Sequence, residues 1–466
     1  MNNVHDGPVV IVGGGVTGLV SAQLLLEAGC EVVVIEREPL AGGLARSHRY
    51  EGGDWTFDIG PHRFHTENPN IKAYLDRVIK GECTLFPRCS EVYFQGKYYR
   101  WPLHPKNLLQ LPKDMAAKAF VDLAVNNFRT YEVDTFEQYV LRQYGPTLYK
   151  HFFGGYTQKF LGLDPAETHP DWAKVGLNRA IIDDKMQMQN LTQLLKTTLT
   201  QFNKAEIDFL YPERGMQQAW EKVSAIIEGL GGRIITGTPA RMEGGNGRVE
   251  RIYAGDEVFE PAAVIWTAPI TVATRQLQVH TPNLPYLGML TFNVLAQADP
   301  PRKYQWCYYG ASDLIFSRTS IPKYLSPGTV PDSSAVGICC EVTCMQGDER
   351  WQHAERLTDW VVDDLIKVGM LKSRRQVHDV HVERTPESYP IYHKHYPAEL
   401  EKARKGLASF QNLHLAGRTG LFWYNNMDHS IENAMQLCKR LLRQAGHEHV
   451  DESSLAQGKL LEDRVA

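Results

Sequence analysis

The chain has no excess of charge of one sign. Its 50 lysines and arginines nearly balance its 54 aspartates and glutamates, so the net charge is −4. A broad surface for nucleic acid needs an excess of cations, and the composition therefore argues against a nucleic-acid partner.

Long apolar runs are also missing. No stretch approaches the roughly 18 consecutive apolar residues of a membrane-spanning helix, and residues 1–8 lack the charged and then apolar pattern of a secretion signal. We therefore expect a cytoplasmic protein without a transmembrane segment. The 466 residues, 43% of them hydrophobic, are enough for a large core and for two or three domains.

Cysteine is scarce, with eight cysteines in the whole chain. Cys340 and Cys344 are followed by no second pair and by no histidines at the spacing of zinc ligands. We predict reduced thiols that pack as small apolar side chains, and no metal site.

Glycine dominates the start of the chain. Val9–Val12 has the composition of a buried strand, and Gly13, Gly15 and Gly18 follow it at G-x-G-x-x-G spacing. A helical segment and a second apolar strand come next, and that strand ends at Glu36. This order predicts a dinucleotide site, in which glycines let the backbone approach a pyrophosphate at the helix N-terminus. An acid in the position of Glu36 binds a ribose hydroxyl and argues against the 2′-phosphate of NADP.

A second glycine turn follows at Gly42 and Gly43, and Arg46 comes just after it. By itself this is a polar turn; beside a dinucleotide unit, Arg46 is a candidate contact for the cofactor. With the first glycine pattern and Glu36, the turn resembles the FAD-binding start of the amine oxidase and protoporphyrinogen oxidase superfamily.

That resemblance implies FAD as the cofactor and an α/β fold. The expected architecture is an FAD-binding Rossmann-like domain of the GR2 flavoprotein type, with a helical insertion and an antiparallel-sheet substrate domain. The expected parts are an FAD-binding domain over 1–68, 211–285 and 405–446, a largely helical insertion over 69–210, a substrate domain over 286–404 and a mobile tail over 447–466.

Local patterns predict several elements within these parts. Gln95–Gly96 lies between two arms of alternating aromatics, which indicates a hairpin. A capping pattern that includes Thr135 predicts the start of a helix. Four strand-like segments between residues 231 and 267 are expected to complete the sheet of the FAD-binding domain.

Two further segments narrow the resemblance to UDP-galactopyranose mutases. Residues 57–66 contain Gly-Pro-His-Arg-Phe-His-Thr, similar to a stretch that runs beside the flavin in that family. From the residues alone, the two histidines of this stretch are equally compatible with a surface loop and with a functional site. The resemblance implies that the imidazole of His62 lies nearest the reactive part of the flavin. Residues 149–159 are similar to the segment that carries a sugar-nucleotide-binding tyrosine, here Tyr156. Phe160 stands where bacterial mutases have a tryptophan.

The remaining resemblance lies in the second half of the chain. Residues 316–324 match the segment whose arginine, here Arg318, neutralises the substrate diphosphate. A cysteine near Cys340 stands where the bacterial family has a diphosphate-binding tyrosine. Residues 413–431 resemble the segment in which Arg418 lies at the FAD, Tyr424 reaches the substrate phosphate and Asn426 is Asp or Asn.

These motifs give three sets of candidate site residues. The candidate cofactor-binding residues are Gly13, Gly15, Thr17, Gly18, Glu36, Arg37, Gly43, Leu44, Arg46, Pro61, His62, Ala240, Gly417, Arg418, Met427, Asp428 and Ser430. The candidate substrate-binding residues are Tyr156, Phe160, Arg179, Arg318, Tyr389 and Tyr424. The candidate catalytic residues are His62, Arg318, Tyr156, Tyr424 and Asn426.

Two functions follow from the resemblance, and the sequence leaves both open. The first is a sugar-nucleotide mutase, in which N5 of the reduced flavin attacks the anomeric carbon of a nucleotide-diphosphate sugar and pyranose and furanose rings interconvert. The second is an FAD-dependent oxidoreductase of the amine oxidase or protoporphyrinogen oxidase type that acts on a small organic substrate. A flavin-bound protein without catalysis is a third reading. Both functions are compatible with NAD(P)H or another reductant as a partner and with an oligomeric protein.

Overall fold

A computed structural model describes residues 7–101, 112–126, 132–177 and 208–458. The helices alternate with strands in the first part of the chain and near its end. The helices are α1 Val16–Glu27, α2 Pro69–Val78, α3 Lys113–Asn126, α4 Phe136–Leu148, α5 Gly154–Leu161, α6 Gln217–Gly229, α7 Ile270–Gln276, α8 Glu349–Gln352, α9 Thr358–Lys367, α10 Tyr396–Leu407, α11 Gly417–Gly420, α12 Met427–Gln444 and α13 Glu452–Gln457.

The strands of the described residues form five sheets. Their bounds are β1 Val9–Val12, β2 Val32–Ile35, β3 Ser47–Tyr50, β4 Trp55–Asp58, β5 Cys83–Pro87, β6 Ser90–Phe94, β7 Lys97–Trp101, β8 Asp208–Pro212, β9 Arg233–Ile235, β10 Ala240–Gly245, β11 Arg248–Ala254, β12 Glu257–Phe259, β13 Ala263–Trp266, β14 Tyr286–Gln297, β15 Trp306–Tyr309, β16 Arg318–Ser320, β17 Ala335–Cys344, β18 Val377–Pro390 and β19 Leu413–Leu415.

A parallel sheet of five strands in the order β19-β13-β1-β2-β9 forms one half of the molecule. Its β1 and β2 are runs of valine and isoleucine, and all of their residues are buried. Helices on both faces of a parallel sheet leave no room for a polar side, which explains these uniformly apolar strands. The predicted α/β fold with an FAD-binding Rossmann-like sheet is confirmed.

One expectation about this sheet is wrong. Of the four segments predicted to complete it after residue 231, only β9 and β13 belong to it. The intervening β10, β11 and β12 form a separate antiparallel sheet of three strands. Their connections are short turns, and a short turn joins antiparallel neighbours, whereas parallel strands need a long crossover.

A seven-stranded sheet in the order β18-β14-β17-β16-β15-β6-β7 forms the other half. Neighbouring strands in this sheet run antiparallel, except for β15 and β6, which run parallel. The hairpin β6–β7 turns at Gln95 and Gly96, with φ values of 48° and 77°, so the predicted hairpin is confirmed. It also adds two strands to this sheet from the segment 69–210, which the sequence suggests to be largely helical.

Two further local predictions can be compared with the structure. Thr135 caps α4 in a capping box with Gln138, so the predicted helix start is confirmed. The expected tail after residue 446 is instead packed over 452–457, where α13 buries Leu455 and Ala456. Among the described residues, no helix is long and apolar enough to span a membrane.

Candidate active site

The turn after β1 brings main chain against main chain. Gly13 has φ 105°, and a Cβ there would lie 2.3 Å from Oγ1 of Thr267. A Cβ on Gly18 would lie 2.0 Å from the carbonyl oxygen of Gly13. Any side chain at these two positions therefore collides with the turn, and glycine leaves the N-terminal amides of α1 open to a ligand.

Glu36 closes this turn from the neighbouring strand. Its Oε2 accepts a hydrogen bond from the amide of Gly14 at 2.6 Å, and its Oε1 accepts one from the amide of Glu38 at 2.9 Å. The side chain is buried. Each carboxylate oxygen keeps a second acceptor site, so the carboxylate is held in a fixed position where it can also accept from a ribose hydroxyl.

The second glycine turn lies on the first. The amide of Gly42 donates to the carbonyl of Gly14 at 2.8 Å, and a Cβ on Gly43 would lie 2.9 Å from Cα of Gly15. Leu44 continues a short helical turn from Gly43.

Charged side chains flank these turns. Arg46 bonds Glu38 at 3.2 Å, and Arg37 bonds Glu387 at 2.8 Å. The two arginines that are predicted to bind the cofactor are thus both paired with carboxylates. Ala240 begins β10 just after a segment that pairs with Glu36, and its carbonyl accepts from Gln276.

The end of the chain returns to the same place. Oγ1 of Thr17 donates to the carbonyl of Ser430 at 3.1 Å, although these residues are 413 positions apart. A Cβ on Gly417 would lie 3.4 Å from Cβ of Thr17. The structure therefore brings together the opening glycine turn, Glu36 and the turn at Gly417, as the sequence analysis expects for one dinucleotide site.

Arg418 points from this turn towards the seven-stranded sheet. Its Nη2 donates to the carbonyl of Ser388 at 2.6 Å. Its guanidinium carbon lies 4.4 Å from the ring centre of Tyr424 and 4.9 Å from that of Tyr389. Two donors here, Nε of Arg418 and Nδ2 of Asn425, are buried without a hydrogen-bond partner among the described residues.

The helix α12 begins at the same turn. Met427 and Asp428 are its first residues, and Asn426 caps it without a hydrogen bond from its side chain. The N-terminus of a helix favours negative charge.

His62 lies between the two halves, in the loop that Gly60 and Pro61 open. Its Nδ1 lies 3.1 Å from the carbonyl oxygen of Gly60. Burial, together with Arg418, Arg318 and Arg63, lowers the pKa of His62 to about 3. The imidazole is therefore neutral at physiological pH; Nδ1 donates to the carbonyl, and Nε2 is an acceptor. We call Arg63, Arg318 and Arg418 the arginine cluster.

Arg318 is paired inside the protein. Its Nε and Nη2 each bond one carboxylate oxygen of Glu341 at 2.6 Å, and its Nη2 also bonds the hydroxyl of Tyr389 at 3.2 Å. Glu341 is fully buried. Burial lowers the pKa of Arg318 and the Glu341 carboxylate raises it, and the net shift is upward. The pairing of Arg318 with Glu341 is not among the predictions from the sequence. An acidic residue within the apolar strand β17 is the sequence feature that could have indicated it.

One row of side chains crosses five strands of the sheet. The registers place Tyr308, Arg318, Glu341, Thr291 and Glu383 side by side on β15, β16, β17, β14 and β18. Because strand residues alternate between faces, these five side chains lie on the same face of the sheet. Thr291 is fully buried, and its hydroxyl has no hydrogen-bond partner among the described residues.

Aromatic side chains line the approach to this row. Ring centres of Tyr156 and Phe160 are 5.8 Å apart, those of Phe160 and Tyr389 are 5.0 Å apart, and those of Tyr389 and Tyr424 are 5.3 Å apart. The structure thus brings four predicted substrate residues together. It adds Tyr308, whose ring centre is 6.0 Å from that of Tyr156. The predicted Arg179 lies outside the described residues.

The observed groups fit FAD. The glycine turns leave no space for side chains where a pyrophosphate approaches, and Glu36 is placed for a ribose. Beyond the turn at Gly417, the buried donors of Arg418 and Asn425 are groups that an isoalloxazine ring with its carbonyls and nitrogens can satisfy. The roles of the individual residues stay predictions.

Known proteins resemble the chain in sequence or in fold. A protein of Klebsiella pneumoniae described as "Probable UDP-galactopyranose mutase" is 30% identical over 174 residues, which are 36% of this chain and 43% of that protein. A dTDP-fucopyranose mutase of Escherichia coli is 28% identical over 173 residues, which are 34% of this chain and 43% of that protein. The chain thus matches less than half the length of these curated relatives. A solved structure, that of a reduced UDP-galactopyranose mutase, has a TM-score of 0.80 at 19% identity and covers 98% of both chains, so the fold is shared.

The family follows from a match over most of the chain. The model of the family described as flavin containing amine oxidoreductase matches residues 16–441. These bounds take in Gly18, the second glycine turn, Glu36, the His62 loop, the arginine cluster and the turn at Gly417. The chain belongs to the flavin-containing amine oxidoreductase family, and its cofactor is FAD.

Proposed function

We propose that this flavoenzyme is a sugar-nucleotide mutase, which interconverts the pyranose and furanose forms of a nucleotide-diphosphate sugar. The relatives named above as mutases of UDP-galactopyranose and dTDP-fucopyranose support this reading. The similarity of fold to a reduced UDP-galactopyranose mutase is consistent with it.

The observation that carries the proposal is the sign of the charge beside His62. Three guanidinium groups, those of Arg63, Arg318 and Arg418, act electrostatically on its imidazole. Glu341 compensates one of them. The remaining positive charge attracts an anion such as a diphosphate and repels the cationic form of an amine.

Hydroxyl groups would complete the recognition of such a substrate. We assign Tyr156 and Tyr424 to donate hydrogen bonds to the departing diphosphate, because preorganised donors stabilise charge that develops on a leaving group. Phe160 and Tyr389 supply flat apolar surfaces beside them. His62, held neutral, accepts a hydrogen bond at Nε2.

The flavin would contribute its own chemistry when bound: in its reduced form, N5 is the nucleophile towards the anomeric carbon. Residues of the chain would form the surroundings in which this chemistry takes place. The N-terminus of α12, with Asn426 and Met427 at its start, favours negative charge in its vicinity. The paired Arg318 and Glu341 fix the sheet side of the site.

An oxidoreductase of the amine oxidase type is the second candidate. The observation in its favour is Glu341, a fully buried carboxylate, since an acid can pair with the ammonium group of an amine. Glu341 already pairs with Arg318 through both oxygens, however, and the charge of the cluster as a whole is positive. The mutase is therefore the better supported function.

The test uses the purified FAD-loaded protein under anaerobic conditions. We expect the dithionite-reduced protein, incubated with UDP-galactopyranose or dTDP-fucopyranose, to produce the furanose isomer, measured by liquid chromatography and NMR. The oxidised protein is the control and should be inactive. Bleaching of the oxidised flavin by an amine or a porphyrinogen, without ring interconversion by the reduced protein, would establish the second candidate and overturn the first.

A further inference from the structure

Arg63 is a cation without an ion-pair partner among the described residues. It follows His62 directly, and its Nη1 is 3.5 Å from the carbonyl of Pro61. No described carboxylate lies within ion-pair distance of it, and the carboxylate of Asp428 acts on it only from farther away. Protein surrounds the side chain, and burial lowers its pKa, yet part of its surface remains exposed. A charge enclosed without a partner is costly unless a ligand supplies the opposite charge.

Aromatic rings hold this guanidinium in place. Its carbon lies 4.7 Å from the ring centre of Trp306 and 5.1 Å from that of Phe209. Stacking covers the flat faces of a guanidinium and leaves its edge, which carries the N–H donors, for a planar or tetrahedral anion. Arg63 is therefore preorganised to bind through its edge.

A second arginine shares the same indole. The guanidinium carbon of Arg88 lies 5.5 Å from the ring centre of Trp306, and its Nε donates to Oγ of Ser90 at 3.0 Å. Nε1 of Trp306 is buried and has no acceptor among the described residues. Arg88 is thus a second guanidinium group beside the indole that Arg63 contacts.

This group adjoins the row that contains Arg318. Trp306 and Tyr308 are two positions apart on β15 and so face the same side of the sheet, and Tyr308 is the cross-strand neighbour of Arg318. Arg63 lies within electrostatic reach of both Tyr308 and Arg318. A substrate beside Tyr156 and Tyr308 can therefore place its charged group at Arg63.

We propose that Arg63, held against the rings of Trp306 and Phe209, forms the subsite for the diphosphate of the substrate, whereas Arg318 is bound to Glu341 and has a positioning role. The inference rests on the proposed function, because that function supplies the diphosphate. It assigns the main electrostatic recognition to the residue after His62 rather than to Arg318.

The experiment measures the affinity of oxidised, FAD-loaded protein for UDP and for inorganic pyrophosphate by calorimetry. Leucine in place of Arg63 should weaken both by roughly 10- to 100-fold, the range for hydrogen bonds to a charged group, while FAD content stays at the wild-type level. Arg63→Lys should fall between, since it keeps the charge but loses the fork and the stacking. Arg241→Leu is the matched control: its guanidinium carbon lies 3.9 Å from the ring centre of Tyr253, on the separate three-stranded sheet, and its removal should change neither affinity.

Each other result has a definite meaning. Wild-type affinity in Arg63→Leu would overturn the subsite, and so would a folded Arg63→Leu protein that has lost FAD, because Arg63 would then serve the cofactor. If Arg63→Leu does not fold, Arg63→Gln is read by the same criteria. Diphosphate binding that depends on Arg63, without ring interconversion by the reduced enzyme, would refute the mutase and keep the subsite. Absence of diphosphate binding in the wild type would refute both.

Discussion

The dinucleotide turns and the arginine cluster lie side by side but are built in opposite ways. The turns use main-chain atoms, and glycines bring segments of backbone within 2.0–2.9 Å of where a Cβ would stand. The cluster uses long charged side chains, each held by a different neighbour: aromatic rings for Arg63, a carboxylate for Arg318 and a carbonyl for Arg418. The turns therefore permit almost no substitution, whereas the cluster can change its charge and its ligand while the fold remains.

The largest effect that this comparison predicts is at Gly18. In Gly18→Ala the new Cβ would lie 2.0 Å from a backbone carbonyl oxygen, and that oxygen cannot move without moving the whole turn. We expect the purified variant to contain no FAD, as measured by the visible absorbance of the flavin relative to the protein. Gly229→Ala is the control, because nothing lies within 4 Å of a Cβ at this position of α6. A Gly18→Ala protein with wild-type flavin content would show that the turn is far more adaptable than its contacts indicate.

The next effect concerns the buried pair of the cluster. Glu341→Leu leaves the guanidinium of Arg318 enclosed without its counter-charge, and breaking a buried pair in this way costs about 3–5 kcal/mol of unfolding free energy. Arg318→Leu combined with Glu341→Leu should be less destabilised than Glu341→Leu alone, because no uncompensated charge remains. Urea unfolding of the three proteins tests this. A double variant that is the least stable would mean that the pair is worth more than the desolvation of its charges.

Asp58 connects the two regions and should make stability depend on pH. Its carboxylate accepts hydrogen bonds from Ser47, Tyr211 and the amide of Met216, and it precedes the loop that carries His62. Burial raises its pKa from 3.8 to about 6. The folded protein thus holds this proton more tightly than the unfolded chain does, so its contribution is complete below pH 3.8 and is lost as the pH rises through about 6.

The measurement compares urea unfolding of wild type and Asp58→Asn from pH 4 to pH 7. The wild type should lose about 2 kcal/mol relative to the variant over this interval, somewhat less than 1.36 kcal/mol for each unit of pKa shift, because the unfolded carboxyl is already more than half ionised at pH 4. A difference between the two proteins that does not change with pH would contradict the raised pKa of Asp58.

The same contrast explains what could be predicted from the sequence. The first glycine turn, Glu36 and the hairpin at Gln95 depend on neighbours close in the chain, so spacing alone reveals them. Arg318 is predicted through the family resemblance, but its pairing with Glu341 is not, because the pair forms only when two strands align. The stacking of Arg63 on Trp306 likewise requires residues 243 positions apart to meet, and no local pattern signals it. The expected sheet for β11 and β12 is wrong for the same reason: apolar alternation identifies a strand but not its partner.

The smallest effect separates two threonines that the same sheet buries. Thr291 and Thr319 are both fully buried on the seven-stranded sheet, but the hydroxyl of Thr319 bonds that of Tyr304 at 2.9 Å, whereas that of Thr291 has no partner among the described residues. Thr291→Val should stabilise the apoprotein by about 1 kcal/mol, since it removes an unsatisfied hydroxyl, and Thr319→Val should destabilise it by a similar amount. Saturating FAD should then stabilise Thr291→Val and the wild type equally, because protein encloses that hydroxyl and leaves a ligand no access to it. Thermal unfolding of the apo and FAD-loaded forms measures both quantities, and a smaller gain from FAD in Thr291→Val than in the wild type would place the flavin against this row of the sheet.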